Sequence, residues 1–545
     1  MKTTRRIVIV GGVAGGASAA ARARRADESA EIHVFERGPY ISFANCGLPY
    51  HIAGEIEDRS KLLLMTPEKM WVRSRVQVHV NHEVLSIDRS AKTIRVRRDD
   101  GTEEDFAYDK LILSQGAKPI VPPISGADLP NVFTLRDVPD MDRIIAFADS
   151  RQPKTAAIIG GGFIGLEMAE AFHRRGIHVT VIEKLPHILP LLDSDMAQHL
   201  QNRVRANDFG IVTGAEAKSF SAKGVELADG AFVPAELILL SVGVRAEVDL
   251  AKRSGLEIGV TGGVRVNARM ESSDPDIYAV GDAAETTHML TGARTRIPLA
   301  GPANRQGRIA GANAAGGHFL YPGALGTSIV RVLQMTAGFT GLNSAQAAKA
   351  GFSFFTSVTI DPNHAGYYPG SRPMTIKIIA EEGTGRLLGA QIVGEDGVDK
   401  RTDVLATAIA GRMTVFDLES LDLAYAPPFG SANDPINTAG FVADHIVRGD
   451  VATVSPEDWK PNGEFLLDVR ETSEVAESGL LRNAAHIPLG ELRDRLGELP
   501  RDRRILVYCQ KGQRGYLATR ALKGSGFEDV ANLRGGFAQA RLNGF

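Results

Sequence analysis

Cysteine is nearly absent from this chain, with 2 residues among 545. Two cysteines cannot form a disulfide framework or a four-ligand zinc site, so we expect neither structural disulfide bonds nor a bound metal. The residues around Cys46 are small and polar, which favours a redox or transfer role for its thiol. The alternative is that Cys46 is a small buried hydrophobic residue.

Strong charge imbalance and long apolar runs are missing as well. A net charge of −3 gives no reason to expect nucleic acid or an anionic membrane as a partner. No run approaches the roughly 20 apolar residues that a bilayer span needs. The start of the chain lacks the apolar region and cleavage site of a secretory signal. We therefore expect a cytoplasmic protein whose thiols stay reduced outside catalysis.

Glycine is plentiful, at 58 residues, and 43% of the chain is hydrophobic. The length predicts about three or four domains, each able to bury a core. The run Ile7–Val10 predicts a strand, and after a glycine-rich turn Ala17–Arg25 predicts a helix. Such a turn binds a pyrophosphate through backbone N–H groups and the helix N-terminus. The next strand, Ile32–Phe35, ends at Glu36, whose carboxylate suits ribose hydroxyls. Val13 replaces the middle glycine of the fingerprint, so the strand–helix–strand–acid context carries this prediction.

A second copy of the pattern is complete. Thr155–Ile159 predicts a strand, Leu166–Arg175 a helix, and His178–Ile182 a strand that ends at Glu183. The fingerprint glycines are Gly160, Gly162 and Gly165. The terminal acid favours NADH over NADPH because a carboxylate repels a 2′-phosphate. Lys184 beside it would offset part of that repulsion.

Two nucleotide folds imply two cofactors, one that delivers a hydride and one that accepts it. Asp109–Gly116 and Glu236–Gly243 are similar strand-to-glycine segments, and Asp282 is predicted at a strand end that enters a helix. With these pieces the chain resembles the flavin-dependent pyridine nucleotide–disulfide oxidoreductases from Ile7 to about residue 446. The resemblance implies an α/β protein with two Rossmann-like domains, for FAD and NAD(P)H, and an α+β dimerisation domain. The implied bounds are 1–117 with 245–324 for FAD, 118–244 for NAD(P)H, and 325–446 for dimerisation.

The same resemblance implies the cofactor contacts. Phe163 would gate the nicotinamide face, or it would only pack there. The FAD contacts are Gly11, Val13, Ala14, Gly15, Glu36, Arg37, Asp282 and Ala300, and the NADH contacts are Gly160, Gly162, Phe163, Ile164, Gly165 and Glu183.

Cys46 has no second cysteine five residues on, so an external thiol or a sulfenic acid must complete its redox cycle. The string Ser42–Tyr50 closely resembles that of coenzyme A–disulfide reductases. By that resemblance Tyr367 and Tyr425 reach the active site of the partner subunit in a homodimer, where phenols donate protons to a leaving thiolate; the alternative is that they only pack at the interface. The implied CoA contacts, several of them basic groups suited to phosphates, are Ser18, Arg22, Arg25, Ser42, Asn45, Asn304 and Arg308. Ser74 and Asn433 depart from the lysines of some relatives, with Arg73 and Arg75 nearby as substitutes.

The last 90 or so residues, 453–545, predict a further small α/β domain. Arg504–Tyr508 predicts a strand that delivers Cys509 into a glycine-bearing loop before a helix, which suits an anionic sulfur. The segment resembles a rhodanese domain, and by that resemblance Cys509 carries a persulfide that Lys511 and Arg514 stabilise.

These features predict a flavoprotein that uses NADH to reduce CoA disulfide, CoA persulfide or polysulfide through Cys46, with sulfane sulfur handled at Cys509. One alternative is an NADH oxidase that reduces oxygen through a Cys46 sulfenic acid. Another is a sulfurtransferase or sulfur carrier whose flavin part only regulates it.

Overall fold

The computed structural model describes residues 4–207 and 209–545. These residues form two compact units. The first comprises residues up to 188 together with 209–326, and the second comprises 189–207 together with 327–545.

The first unit contains two parallel five-stranded sheets, each built around a glycine-rich turn. Ile7, Val8 and Ile9 are fully buried, as expected for a strand covered on both faces. The strands of this first sheet, in spatial order, are Ile277–Ala279, Lys110–Leu113, Arg6–Val10, Glu31–Glu36 and Gln77–Val80. Its helices are Ala14–Ala26, Leu48–Ile52, Pro67–Ser74, Asp249–Arg253 and Ala300–Ala314, with short 3₁₀ turns at Asn45–Gly47, Arg59–Leu62 and Gly281–Ala283.

Smaller antiparallel and mixed strands complete the FAD-type fold. They are Glu83–Asp88, Thr93–Arg97 and Glu103–Ala107, the pair Ala117–Pro119 and Val244–Ala246, and the group Val264–Arg265, Ala284–Thr287 and Arg294–Thr295.

The second sheet repeats the design. In spatial order its strands are Gly210–Thr213, His178–Glu183, Thr155–Ile159, Leu237–Leu240 and Val132–Phe133, with a three-stranded addition of Ala217–Ser221, Gly224–Leu227 and Phe232–Pro234. The helices of this fold are Val138–Arg151 and Phe163–Arg174. The predicted pair of Rossmann-like folds is thus confirmed.

The larger segment of the second unit, residues 327–545, begins with an antiparallel sheet against which helices pack. Its strands, in spatial order, are Ser328–Val332, Met335–Gly341, Leu387–Gly394, Pro373–Glu381 and Phe354–Pro362, and its helices are Ser344–Lys349, Val398–Ala410, Val415–Glu419 and Pro435–Val447. This is the predicted α+β domain.

A parallel sheet follows in the same unit. Its strands, in spatial order, are Ala452–Val454, Val530–Leu533, Ile505–Tyr508, Phe465–Asp468 and Ala485–His486, with helices Thr472–Ser478, Gln513–Gly524 and Gly536–Leu542 and 3₁₀ turns Leu492–Asp494 and Leu496–Glu498. The sheet starts at Ala452, one residue before the predicted domain start, because Ala452–Val454 pairs with the strand Val530–Leu533.

Helix Ser194–Arg205 joins these two parts of the second unit. The buried Lys377 ammonium lies 2.8 Å from Asp195 and 2.9 Å from Asp193. On the other side Glu457 accepts hydrogen bonds from the Ser194 hydroxyl at 2.6 Å and the Asp195 N–H at 2.8 Å. The Arg534 guanidinium also donates to the Thr356 carbonyl at 2.6 Å. The C-terminal domain therefore has a specific docking site on the antiparallel sheet.

Several predicted bounds are corrected. The first helix starts at Ala14, not Ala17, and the second spans Phe163–Arg174 instead of Leu166–Arg175. Asp282 does not enter a helix, because it lies in a 3₁₀ turn that leads into the strand Ala284–Thr287. In the part of the chain that the structure describes, no helix is both long and apolar enough to cross a bilayer.

Candidate active site

The first glycine-rich turn is shaped by two close approaches. Gly11 has a φ of 95°, and a Cβ there would overlap the Ser114 carbonyl. A Cβ at Gly16 would overlap the carbonyl of Gly11. Only glycine tolerates both the conformation and the contact. The turn thereby directs the N-terminus of helix Ala14–Ala26, with Ala14 and Gly15 in its first turn, toward the place of a pyrophosphate.

The second turn explains why Val13 is acceptable in the first. Gly160 has a φ of 105°, whereas Gly162 is extended, at φ −81°, with nothing within 4 Å of its Cβ direction. Val13 occupies the corresponding cap position at φ −90°. Because neither backbone needs a positive φ, a side chain costs nothing there. The imperfect motif is therefore geometrically equivalent to the complete one.

Each turn is closed by its strand-end acid. Glu36 accepts from the Gly12 N–H at 2.9 Å and from the Gly38 N–H at 2.9 Å. Glu183, 7% exposed, accepts from the Gly161 N–H at 2.7 Å and from the Leu185 N–H at 2.7 Å. Both carboxylates are thus fixed beside their turns, where a ribose is expected.

The remaining predicted cofactor residues lie around the two turns. Half-exposed Arg37 is 3.5 Å from Glu247, and Ala300 begins helix Ala300–Ala314. Ile164 is exposed and Phe163 partly buried in the first turn of their helix. The buried Gln115 side-chain oxygen has no hydrogen-bond partner, an unsatisfied acceptor that a bound cofactor can satisfy.

Cys46 lies in the 3₁₀ turn Asn45–Gly47, with its Sγ 3.9 Å from the Asn45 side-chain oxygen. Solvent reaches the residue, yet the surrounding protein still desolvates the thiol. Burial raises the pKa of Cys46, and the negative charges of Glu167 and Asp282 raise it further. Burial also raises the pKa of Asp282, against the opposing charges of Arg296 and Arg136. The charges of Glu167 and Asp282 therefore both act on the Cys46 thiol.

The sequence reasoning missed Glu167. It lies on helix Phe163–Arg174 of the second nucleotide fold and accepts a hydrogen bond from the Tyr50 hydroxyl at 3.2 Å. Tyr50 lies four residues after Cys46, in the helix Leu48–Ile52 that follows the 3₁₀ turn. The only sequence signal was the position of Glu167 two residues after the last fingerprint glycine, which gives no hint of a contact 117 residues away.

Five of the seven predicted CoA contacts lie on a pair of touching helices. A Cβ at Gly307 would overlap the Gly15 carbonyl, and one at Gly311 would overlap the Ala19 carbonyl. Helices Ala14–Ala26 and Ala300–Ala314 therefore meet backbone to backbone. The Ser18 hydroxyl donates to the Asn304 side-chain oxygen at 2.8 Å across this contact, and the predicted arginines on the pair are Arg22, Arg25 and Arg308.

Arg22 has an aromatic neighbour that sequence reasoning missed. Its guanidinium carbon lies 5.3 Å from the ring centroid of Phe319, which is half exposed. Its Nε is buried and has no hydrogen-bond partner. A cation held on a ring, with a free donor, is suited to an incoming phosphate.

Most of the predicted CoA residues are accessible to solvent. Arg25 and Arg308 on the helix pair are exposed, as is Asn45 next to Cys46 in sequence, and Ser42 is partly buried. Ser42 has a φ of 45°, held by its N–H bond to the Gly12 carbonyl at 2.9 Å. Arg75 stacks on Trp71 at 5.2 Å.

The two predicted tyrosines of the second unit form one cluster. The Tyr367 and Tyr425 hydroxyls are 3.0 Å apart, although the residues are 58 positions apart in sequence. Their exposures are 77% and 47%. The hydrogen bond to Tyr425 raises the pKa of Tyr367. This pair of phenols is presented at the surface of the antiparallel domain.

Cys509 sits in the cradle that its sequence predicted. It is 2% exposed, and its Sγ accepts from the Gly512 N–H at 3.1 Å. A Cβ at Gly536 would overlap the Cys509 carbonyl, which accepts from the Phe537 N–H at 2.7 Å. The loop is therefore held rigidly around the sulfur.

Arg514 is not free for that sulfur. Its two terminal nitrogens donate to Glu474 at 2.5 and 2.8 Å, and Glu471 lies 3.8 Å away. The bond to Arg514 lowers the pKa of Glu474 to about 2. Glu474 was missed by the sequence reasoning, because it lies 40 residues before Arg514.

Comparison with known proteins decides the family. Residues 5–307 match the pyridine nucleotide-disulphide oxidoreductase family, and residues 327–434 match its dimerisation domain. The chain belongs to this family. Residues 455–541 match the rhodanese-like domain, so the predicted C-terminal domain is confirmed.

Three proteins are similar to this chain, one over about four fifths of its length and two over almost all of it. The NAD(P)H coenzyme A polysulfide/persulfide reductase of Pyrococcus horikoshii is 36% identical over 441 residues, 79% of this chain and 97% of that protein. The crystal structure of reduced CoADR-RHD from Bacillus anthracis matches with a TM-score of 0.97 at 44% identity, covering 99% and 98% of the two chains. The NAD-dependent persulfide reductase of A. fulgidus matches at 0.93 and 37%, covering 98% and 99%.

FAD and NAD(P)H, which this oxidoreductase family uses, fit the residues present. The two positive-φ turns, their fixed acids and the unsatisfied Gln115 oxygen supply N–H donors, ribose acceptors and a free acceptor. The first turn with Glu36 would hold FAD, and the second with Glu183 would hold NADH.

Proposed function

We propose that this oxidoreductase uses NADH to reduce CoA persulfide, polysulfide or CoA disulfide at Cys46, and that its rhodanese domain handles sulfane sulfur at Cys509. One observation carries the proposal. The reachable cysteine of the flavin fold has no cysteine partner, since the other one, Cys509, is buried in the rhodanese domain. The disulfide that Cys46 forms must therefore be made with an external thiol.

The CoA face supports the choice of thiol. Ser18 and Asn304 are hydrogen-bonded across the helix pair, and Arg22 keeps a buried donor without a partner. Arginine binds phosphates through several N–H groups at once. The names of the P. horikoshii and B. anthracis proteins point to the same chemistry.

At the reacting atoms, the Cys46 thiolate attacks one sulfur of the substrate. A bond from Sγ to that sulfur forms, the substrate S–S bond breaks, and the released thiolate or hydrosulfide takes the electron pair. FAD, when bound, supplies the two electrons, taken from NADH, that break the Cys46 disulfide and release the second thiol. Glu167 and Asp282 oppose formation of the Cys46 thiolate, so they favour a protonated resting thiol.

The hydrogen-bonded tyrosines supply the proton chemistry in this proposal. In a homodimer, Tyr367 and Tyr425 of one subunit would serve the Cys46 site of the other and protonate the leaving thiolate. The exposure of both phenols and the match to a dimerisation domain support this. The two free cysteines suit a reducing compartment, and we propose the cytoplasm.

The test is anaerobic oxidation of NADH by the full-length protein with CoA persulfide, polysulfide or CoA disulfide. We expect turnover with these substrates and extractable FAD, and a separate aerobic assay with NADH alone should show only slow oxygen uptake. Cys46→Ser should abolish turnover and keep the flavin, because serine cannot form the mixed disulfide. Cys509→Ser should spare soluble small substrates.

Fast oxygen uptake that needs no sulfur substrate would instead identify an NADH oxidase. Persulfide reduction that survives Cys46→Ser would contradict the proposed mechanism.

A further inference from the structure

Of the two cationic residues beside Cys509, one is paired with neighbouring carboxylates. Two cations flank the sulfur loop, Lys511 and Arg514, and the Cys509 charge contributes to the raised pKa of Arg514, after the larger effect of Glu474. Arg514 is engaged by both oxygens of Glu474, with Glu471 behind. Another arginine of the domain, Arg470, is fully buried and paired with Asp468 at 2.6 Å. The loop therefore presents Lys511 as its exposed cation, while the charge of Arg514 is offset.

Sulfane-sulfur donors differ in charge. Thiosulfate carries two negative charges and releases sulfite, whereas an alkyl persulfide carries one and releases a thiolate. In both cases the Cys509 thiolate attacks the outer sulfur, a bond from Sγ to that sulfur forms, and the S–S bond of the donor breaks. The electron pair leaves with sulfite or with the thiolate, so no external oxidant or reductant is needed.

We propose that Glu474 makes the rhodanese loop selective for singly charged persulfide donors over doubly charged thiosulfate. The Glu474 carboxylate, held by its hydrogen bonds to Arg514, repels a donor in proportion to the negative charge of that donor. The persulfide formed on Cys509 keeps its backbone donor, the Gly512 N–H. This inference rests on the proposed sulfur-loading role of Cys509 and adds the class of donor.

The position of Glu474 suits this role. It lies on the helix Thr472–Ser478, where its carboxylate also accepts from the Glu471 N–H at 2.9 Å. The hydrogen bonds from Arg514 lower its pKa to about 2, so the carboxylate is ionised at neutral pH. The negative charge beside Arg514 is therefore permanent.

The test compares two donors in the full-length chain carrying Glu474→Gln. The amide keeps an oxygen that accepts from Arg514 and removes the charge. We expect kcat/KM with thiosulfate to rise about tenfold and with an alkyl persulfide about threefold, because the electrostatic free energy scales with donor charge. Tenfold corresponds to about 1.4 kcal/mol. Glu471→Gln should raise the ratio of kcat/KM with thiosulfate to kcat/KM with persulfide by a smaller factor. Glu477→Gln, at an exposed position on the same helix, should leave this ratio unchanged.

The outcomes are separable. If the ratio of kcat/KM with thiosulfate to kcat/KM with persulfide is unchanged in both Glu474→Gln and Glu471→Gln, the proposed selectivity is wrong. An equal loss of kcat/KM with both donors also contradicts it, because Glu474 would then have only a structural role. If Glu474→Gln does not fold, the Glu471 variant decides. Loading of Cys509 is read separately, as the mass of one added sulfur on the Cys46→Ser chain, in which Cys509 is the remaining cysteine. If neither donor loads Cys509, the proposed sulfur-loading function itself fails.

Discussion

The fixed position of Glu183 makes cofactor preference a quantitative prediction. The carboxylate is buried and accepts two backbone hydrogen bonds of 2.7 Å, from Gly161 and Leu185. It cannot swing away from an incoming 2′-phosphate without leaving both donors unsatisfied, at about 1–3 kcal/mol each. Lys184 does not relieve the repulsion, because it is paired with Glu216 at 2.7 Å.

The size of the preference follows from the charges. A carboxylate and a phosphate of about −2, about 5 Å apart in a water-like dielectric, repel by about 1.7 kcal/mol. That corresponds to about fifteenfold in kcat/KM in favour of NADH. A lower dielectric around the buried Glu183 increases the factor.

Glu183→Gln tests this directly. The amide oxygen keeps one backbone donor satisfied and the negative charge is gone, so the NADH to NADPH ratio of kcat/KM should fall about tenfold. Steady-state rates with each cofactor and a saturating disulfide measure it, with Lys184→Ala as the matched control that should leave the ratio near the wild-type value. Equal efficiencies in the wild type, or a ratio that Glu183→Gln does not move, would refute the reasoning.

The remaining predictions concern the thiol, the CoA face and the stability of the flavin fold. Because Glu167 raises the pKa of Cys46, Glu167→Gln should shift the pH profile of Cys46 alkylation to lower pH; an unmoved profile would contradict this. Arg22→Ala should weaken the use of CoA substrates more than that of small polysulfides, and Phe319→Leu should do so less strongly through the lost ring contact, at about 0.5–1 kcal/mol; equal losses on both substrates would indicate a structural role. Burial lowers the pKa of His79 from 6.5 to about 4. The unfolded chain therefore binds more protons between these values, and the free energy of unfolding should fall as pH drops from 6.5 toward 4, with a shallower fall in His79→Phe.

The sheets were predictable because buried parallel strands are continuous apolar runs. The helix starts were less so. Gly15 and Gly16 have low helix propensity, yet both lie in the first turn of the helix, where Gly16 packs closely against Gly11. Asp282 was predicted to enter a helix, whereas it lies in a 3₁₀ turn followed by a strand. Tertiary contacts decided these places.

The candidate site was predictable where one motif carries it and not where partners are distant. Cys46 and the acids Glu36 and Glu183 stand in local patterns. Glu167 and Glu474 meet their partners across 117 and 40 residues. The spacing of residues in the sequence does not indicate such distant pairs. Only the folded chain shows that Glu167 contacts the Tyr50 hydroxyl and that Glu474 contacts the Arg514 guanidinium.

The helix Ala14–Ala26 connects the glycine-rich turn to the residues that we propose for CoA binding. Its N-terminus serves the pyrophosphate turn, while its outer face carries Ser18 and Arg22. Gly307 and Gly311 on the facing helix leave no room for a Cβ, so the two backbones touch. A displacement of one helix must then move the other, and with it the register between Ser18 and Asn304. The glycine-rich turn and the Ser18–Asn304 hydrogen bond are therefore parts of one closely packed helix pair.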